Sequence, residues 1–416
     1  MPEGYQSTVR SLSPLLDTNV IYLICFLLLV LCGSMYVYIL SVPVISVLTL
    51  MALLLFQKKL RTQINQADFL FGATIIGFLT LHSAANLDIF TRYFVLFCYI
   101  AIGFGVAVRI EFKKFATALV RVGEVLAAVS LAIWLPLFLL PNLFGPILGL
   151  FALPLTLGEI DYQFLGISNF PSGLLHQGAV RNLGIYSEPG LYAAVLSVLL
   201  GLKYLLNQLP YKHYGILIVA LLSTQSTAGY IVVALFSLLH YSSRHAKQLL
   251  RLKITKGMLV SSLLLVGLTA AILASGVITS KFDQNHHSFL SALLRANDTL
   301  VDLLIWKDHF LLGAGFARID PIIYMKTTGS SNALTSLFAS FGLIGGILFL
   351  MAPIRAAIRN ARYRVFIAIL AITLTSQNLL FTPLLLALLF YMRRITLPDY
   401  ETWQQSIPSQ TSGNAA

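Results

Sequence analysis

The sequence predicts an all-α, polytopic integral membrane protein, and three observations carry that prediction. Apolar residues make up 57% of the 416-residue chain and charged residues only 11%, where a soluble protein carries about 25% charge. Mean hydropathy is +0.83. Apolar runs recur at lengths near the roughly 20 residues that cross a hydrocarbon core as a helix, which favours helices over a barrel. A chain so sparsely charged cannot cover a water-facing surface of its size. The same figures exclude disorder, collagen-like repeats and coiled coil.

Twelve spans are predicted, at 19–34, 36–56, 67–84, 90–109, 116–140, 189–206, 214–223, 228–241, 258–279, 333–352, 365–378 and 380–392. The short ones admit a second reading. Ser223-Thr224-Gln225-Ser226-Thr227 would make 214–223 and 228–241 two half-length spans meeting at a polar kink. Ser376-Gln377-Asn378 stands in the same place between 365–378 and 380–392. The net charge of +12 invites a nucleic-acid partner, and its distribution removes that reading. With the N-terminus inside, all but seven of the 28 basic residues fall in inner segments, as the positive-inside rule requires. The seven are Arg92, Arg181, Lys281, Arg295, Lys307, Arg318 and Lys326.

The chain therefore reads as one membrane domain, 1–416, with two long outer loops at 142–187 and 280–332. Loops of that length are uncommon unless they carry function or secondary structure. They hold most of the outer acidic residues, including Glu159, Asp161, Asp283, Asp298, Asp302, Asp308 and Asp320, so chemistry is expected on that side. No cleavable signal peptide is visible, and Cys25, Cys32 and Cys98 all lie within spans, leaving no disulfide framework for the loops.

Three constellations stand out. In Arg181-Asn182-Leu183-Gly184-Ile185-Tyr186-Ser187-Glu188-Pro189-Gly190, Glu188-Pro189 opens a helix, since proline suits the first turn and an acid there favours the helix dipole. The plain reading is a capped helix with one snorkelling arginine. The functional reading is an anion site in which Arg181 binds phosphate through its planar fork and Glu188 sits nearby. In 288–310, Arg295, Asp298 and Asp302 recur at i, i+3 and i+7, one polar stripe on an apolar helix. That pattern fits an amphipathic helix lying on the outer membrane face, either purely structural or presenting Arg295 as a second cation. Finally, Gly313-Ala314-Gly315 is followed by Ser331-Asn332 and then by Gly342-Leu343-Ile344-Gly345. No strand precedes Gly-Ala-Gly, so a dinucleotide fold is excluded, and Gly342, Gly345 and Gly346 point to close helix packing.

Several motifs are absent: His-Glu-x-x-His, Cys-x-x-Cys and a Walker loop. Glu159-x-Asp161 could hold a divalent ion, and Asp283 with His286 and His287 could ligate a metal or supply a base, but a solvated loop explains both. Arg121 and Glu124, three apart within a span, suggest a buried structural pair.

Taken in order, these pieces resemble the O-antigen polymerase and ligase superfamily, the Wzy-like polymerases and WaaL-like ligases. The resemblance rests on R-x-x-G-x-x-x-E-P at 181–189, S-T-x-S-T-x-G at 223–229, the outer helix with Arg295, L-G-x-G-F at 312–316 and S-N-x9-G-x-x-G at 332–345. It covers about residues 175–350 and the span layout. Ligases of the superfamily typically carry Asn-Pro where this chain has Glu188-Pro189, and a histidine where it has Ser331. Both departures favour polymerases, and they leave the identity of any base open.

The resemblance implies an inverting glycosyltransferase in a bacterial inner membrane. Its donor and acceptor would be undecaprenyl-diphosphate-linked oligosaccharides, handled at the outer face. Beyond membrane lipids, it implies a chain-length regulator protein as partner and no cofactor or metal. Arg181 and Arg295 are then the diphosphate ligands, with Arg318 and Arg92 in reserve, and Glu188 is a candidate base. The alternatives are ligase-type transfer to a lipid acceptor, a transporter, and a scaffold within an export complex. No half-to-half repeat of the transporter kind is visible.

Overall fold

The computed structural model describes residues 18–55, 66–86, 90–157, 160–171, 181–207, 211–249, 287–316 and 332–395. They are mostly helical. The helices are α1 (Thr18–Val30), α2 (Met35–Leu40), α3 (Val42–Leu55), α4 (Gln66–Asn86), α5 (Phe90–Arg109), α6 (Phe112–Leu139), α7 (Pro141–Gly149) and α8 (Pro189–Asn207). There follow α9 (Gly215–Ser223), α10 (Thr227–Leu249), α11 (His287–Asp308), α12 (Ala333–Arg359), α13 (Ala361–Ser376) and α14 (Pro383–Ile395). Four of these, α4, α6, α8 and α12, are long and apolar enough to cross a membrane. The predicted span 258–279 lies outside the described residues.

A membrane explains what the surface exposes. Leu48, Met51, Phe69, Leu70, Leu81, Val125 and Ile358 stand open on helix faces, where water would penalise them and lipid does not. At the centre, α8 packs against α6, α9, α10 and α13, while α14 packs against α5 and α12.

Two of the predicted polar junctions are real breaks. Leu221 touches Gly229 and the Tyr214 ring meets Phe236 at 4.9 Å. Those pairings make α9 and α10 an antiparallel hairpin with its tip at Thr224–Ser226, where Gln225 takes φ 50°. The kinked, end-to-end reading of 214–241 is thereby corrected. Likewise α13 stops at Ser376 and α14 starts at Pro383, where proline fits a first turn.

Further breaks interrupt segments predicted as continuous. The span 36–56 divides at Ser41, whose φ is 64°. Inside α12, Gly342 has φ 63° and ψ −163°. A Cβ on Gly342 would lie 2.3 Å from the Leu311 carbonyl oxygen, and one on Gly313 would lie 2.4 Å from the Ser340 backbone. Backbone thus lies on backbone. Ala314 and Gly315 donate to the carbonyls of Ala339 and Ser340, while Leu343 and Ile344 donate to Phe310 and Leu311. The break at Gly342 so leaves the backbone groups freed on either side of it satisfied by the facing turn, the condition for non-helical chain at membrane depth. Gly342 is therefore a break and not simply a packing contact, whereas Gly345 and Gly346 make room for Phe341 and Phe338 of their own helix, and Gly345 faces Phe78 of α4, 3.5 Å from where a Cβ would lie.

The first long loop is structured. After α7, strands β1 (Leu153–Leu157), β2 (Ile160–Phe164) and β3 (Asn169–Pro171) form an antiparallel sheet in the order β1-β2-β3. Tyr162 and Phe164 bury against Met35 and Leu183. This small sheet departs from an all-α description, which composition alone could not reveal.

The basic ends of the helices are tied together at the opposite end of the bundle from the sheet. Arg394 pairs with Asp68 at 2.7 Å, both largely buried. Lys203 bridges Glu124 and the His213 carbonyl. The expected Arg121–Glu124 pair is replaced by two partnerships across helices: Glu124 turns to Lys203, and Arg121 donates to the Tyr22 hydroxyl at 3.0 Å. Partners on neighbouring helices outcompete a neighbour on the same one.

Candidate functional site

The loop 181–188 is gripped on three sides. Met35 donates to the Ile185 carbonyl. From β3, the Asn169 amide donates to the carbonyls of Gly184 and Tyr186, at 3.2 and 2.7 Å. On the hairpin side, Asn182 Nδ2 donates to Ser223 Oγ at 2.9 Å and Ser130 Oγ at 3.3 Å, and its Oδ1 accepts from Gly184 N–H. Ser130 in turn bonds the Tyr192 hydroxyl at 2.8 Å. This buried network fixes the loop against α6, α8 and the hairpin tip.

Arg181 is held by that tip. Its Nε donates to the Thr224 carbonyl at 3.0 Å and its Nη2 to the Gln225 carbonyl at 3.1 Å. These are orphan carbonyls at the C-terminal end of α9, where the helix dipole favours a cation. Burial lowers the pKa of Arg181, the nearby charge of Arg295 lowers it further, and Tyr230 and Glu188 act in the opposite sense.

Arg295 arrives from α11. Its Nη1 reaches the Ser376 carbonyl at 3.4 Å, again at the C-terminal end of a helix. Gly190, in the first turn of α8, lies beside it: a Cβ there would meet Gln377 Nε2 at 2.5 Å and Arg295 Nη2 at 3.6 Å. Arg181 and Arg295, far apart in the chain, thus lie within electrostatic reach of each other, held at the ends of two helices beside the start of α8.

The stripe on α11 faces the protein. Asp298 and Asp302 are 3% and 0% exposed, Thr335 donates to Asp302 at 2.8 Å, and Asn332 donates to Thr299 at 3.4 Å while capping α12. Leu293, Leu294, Leu300, Leu303 and Leu304 face outward. The amphipathic reading is right about the two faces, but the polar one packs on α12 and the leucines take the exposed position.

Glu188 is exposed, and its side chain makes no hydrogen bond or ion pair among the described residues. It is the carbonyls of Thr224 and Gln225, and not Glu188, that hold Arg181. Next to it, Tyr162 donates to the Ser187 carbonyl at 3.0 Å. Burial first, then the Glu188 carboxylate, raise the Tyr162 phenol above its ordinary pKa.

Other candidates are not brought in. Arg318, with Ser331, Asp283, His286 and Glu159, lies outside the described residues. Arg92 lies on α5, with its side chain outside them too. Asp161 accepts from Thr156 at 2.8 Å. No group of three His, Cys, Asp or Glu that could hold a metal occurs among the described residues.

Sequence reasoning missed His82. Buried on α4, its Nε2 lies 2.6 Å from the Leu312 carbonyl and its Nδ1 2.8 Å from the Tyr93 hydroxyl. Because a carbonyl only accepts, Nε2 carries a proton and donates to Leu312, while Nδ1 shares a hydrogen bond with the Tyr93 hydroxyl. Tyr93 accepts in turn from Phe316 N–H at 3.2 Å. His82 so pins both ends of the glycine turn that supports the break in α12. A lone histidine in an apolar span was the available signal, because ionisable groups at membrane depth are there for a reason.

No protein-family model matches the chain, and no curated protein matches it.

Proposed function

We propose that the chain is a polysaccharide polymerase of the O-antigen polymerase type, a multi-pass protein of the bacterial inner membrane with its site facing outward. It joins undecaprenyl-diphosphate-linked repeats. The observation that supports this reading is the convergence of Arg181 and Arg295. Two guanidinium groups at one site repel each other until an anion lies between them, and a diphosphate carries the charge and the oxygens to do so. Arg181 commits Nε and one edge of Nη2 to the hairpin, which leaves Nη1 for the ligand.

The proposed reaction uses those two arginines and Glu188. The hydroxyl of the acceptor's end sugar attacks the anomeric carbon of the donor glycan from the face opposite the diphosphate. A glycosidic bond forms, the carbon–oxygen bond to the diphosphate breaks, and the configuration inverts. The electron pair leaves with the diphosphate, where Arg181 and Arg295 balance it. Glu188, exposed and uncommitted among the described residues, takes the hydroxyl proton. Holding two lipids in register supplies much of the rate. The scheme uses no metal or cofactor.

The break inside α12 at Gly342 favours one competing reading, since secondary transporters build their sites from discontinuous helices. The two are separable in cells. With Arg181→Ala, the polymerase reading expects single lipid-linked repeats to accumulate on the outer leaflet. A transporter defect traps them on the inner leaflet. Wild-type-length polymer from Arg181→Ala would contradict the proposed site, and it is what a scaffold predicts.

A further inference from the structure

We infer that residues 140–153, α7 and the turn after it, form a wedge seated in the bilayer at the sheet end of the bundle. This wedge sets the depth at which the loop 181–188 meets the membrane surface. The inference rests on the membrane reading of the fold and not on the proposed reaction.

From sequence, 142–187 is expected as an outer loop in water, yet its first part has no composition for water. Residues 125–158 contain no charged residue, and 143–153 contain no polar side chain. α6 also ends early. From Glu124, its last charged residue, it rises only about 24 Å to the break at Leu140, at 1.5 Å per residue, short of the roughly 30 Å hydrocarbon core. α7 then packs on α6, where Phe144 and Leu148 join Trp134, Leu137 and Phe170 of β3 in one cluster. Its other side is apolar too. Leu143, Ile147, Leu150 and Phe151 face outward, the last two 83% and 78% exposed. A segment apolar on both faces belongs inside a protein or in lipid, and soluble surfaces rarely leave such a patch open.

Two further observations say that lipid covers it. First, the patch continues the exposed face of α6 at Leu135, Phe138 and Leu139, on a helix long and apolar enough to cross a membrane. A protein partner would meet a polar rim, which 143–153 does not supply. Second, the backbone satisfies itself through both turns. Leu140 donates to the Pro136 carbonyl, and Leu143 and Phe144 donate to Leu140. After the helix, Leu150, Phe151 and Ala152 donate to Pro146, Leu148 and Gly149. Pro141 and Pro146 carry no N–H to satisfy. Water makes no such demand on a turn, whereas an apolar medium does. The segment thus sits at the boundary of head groups and acyl chains, its leucines and Phe151 pointing into the chains.

The placement reaches the candidate site through two neighbouring residues. Phe170 is buried in the wedge's cluster, and Asn169 beside it holds the Gly184 and Tyr186 carbonyls. Arg181 and Glu188 flank that stretch of loop, so the wedge sets them at the membrane surface, where the head of a membrane-borne molecule lies.

The test is carbene labelling of the full chain in nanodiscs of phosphatidylethanolamine and phosphatidylglycerol. A diazirine dissolved in the bilayer and, separately, one confined to water are irradiated, and adducts are mapped by mass spectrometry. The bilayer-borne carbene is expected to label 140–153 as densely as the exposed face of α6. The water-borne carbene is expected to spare 140–153 and to label β2 at the exposed Asp161. Labelling of 140–153 from water overturns the inference. So does shielding from both reagents, as a second copy of the chain seated there would give. The unaltered protein answers this first question. The double variant Leu150→Asp, Phe151→Asp then asks whether those side chains hold the wedge. The bilayer label is expected to be lost from 140–153 and kept on Val125 and Leu135, and an unchanged pattern contradicts the wedge. The labelling needs no substrate, so it holds or fails separately from the proposed reaction.

Discussion

Gly190 and Gln377 are in close contact: a Cβ on the glycine would lie 2.5 Å from the Gln377 amide nitrogen unless that amide moved. Through that contact the first turn of α8 sits against the turn between α13 and α14, within reach of Arg295. The obstructing atom is the tip of a flexible side chain. Gly190→Ala is therefore expected to fold, with a thermal midpoint within a few degrees of wild type, while the displaced amide crowds Arg295 and activity falls. A large loss of stability with activity per folded molecule unchanged would contradict this placement.

Arg181 makes two bonds at fixed angles, which a lysine cannot reproduce. Arg181→Lys is expected to lose polymer synthesis nearly as completely as Arg181→Ala. Both leave the Thr224 and Gln225 carbonyls short of a donor, at about 1–3 kcal/mol for each group. Thermal unfolding in detergent reads the stability change and chain-length profiles read the function. Full activity in the lysine variant would mean that only charge matters.

Gly342 poses a harder constraint, because a Cβ would strike backbone on the neighbouring turn and the residue has φ 63°. Strain of that kind is about 1–3 kcal/mol before the clash is added. Gly342→Ala is expected to lower expression and melting temperature sharply, whereas Gly77→Ala, with open space around it, leaves both unchanged. Equal behaviour of the two variants contradicts the interlocked turns.

At the opposite end of the bundle, burial decides which ion pair matters. Removing one partner of the buried Asp68–Arg394 pair, as in Asp68→Ala, is expected to destabilise by about 3–5 kcal/mol. Glu111 and Lys114 are 3.9 Å apart and exposed, so Glu111→Ala should change stability by less than about 1 kcal/mol. Unfolding of both variants in one detergent makes the comparison.

What the sequence revealed followed from its local character. Apolar runs gave the helices, and clusters of small polar residues marked the breaks at 224–226 and 376–378. The arginines of the two long loops were picked out because charge is scarce outside the expected inner segments. What it hid was set by contacts between distant segments. The hairpin depends on Leu221 meeting Gly229, the break at Gly342 depends on a turn around Gly313, and the inward stripe of α11 depends on Thr335. The sheet at 153–171 escaped notice because its strands alternate too briefly to show a period. Arg181 and Glu188 were paired by proximity in sequence, while in the fold two carbonyls hold the arginine.

The central claim is that one site, built around Arg181 and Arg295, joins lipid-linked repeats. It is tested most directly with purified protein and its lipid-linked repeat, resolved on a gel. Wild-type protein is expected to give a ladder of products that persists in EDTA, and Arg181→Ala and Arg295→Ala to give none. An unaltered ladder from either variant, or no ladder from folded wild-type protein that binds the repeat, would contradict it.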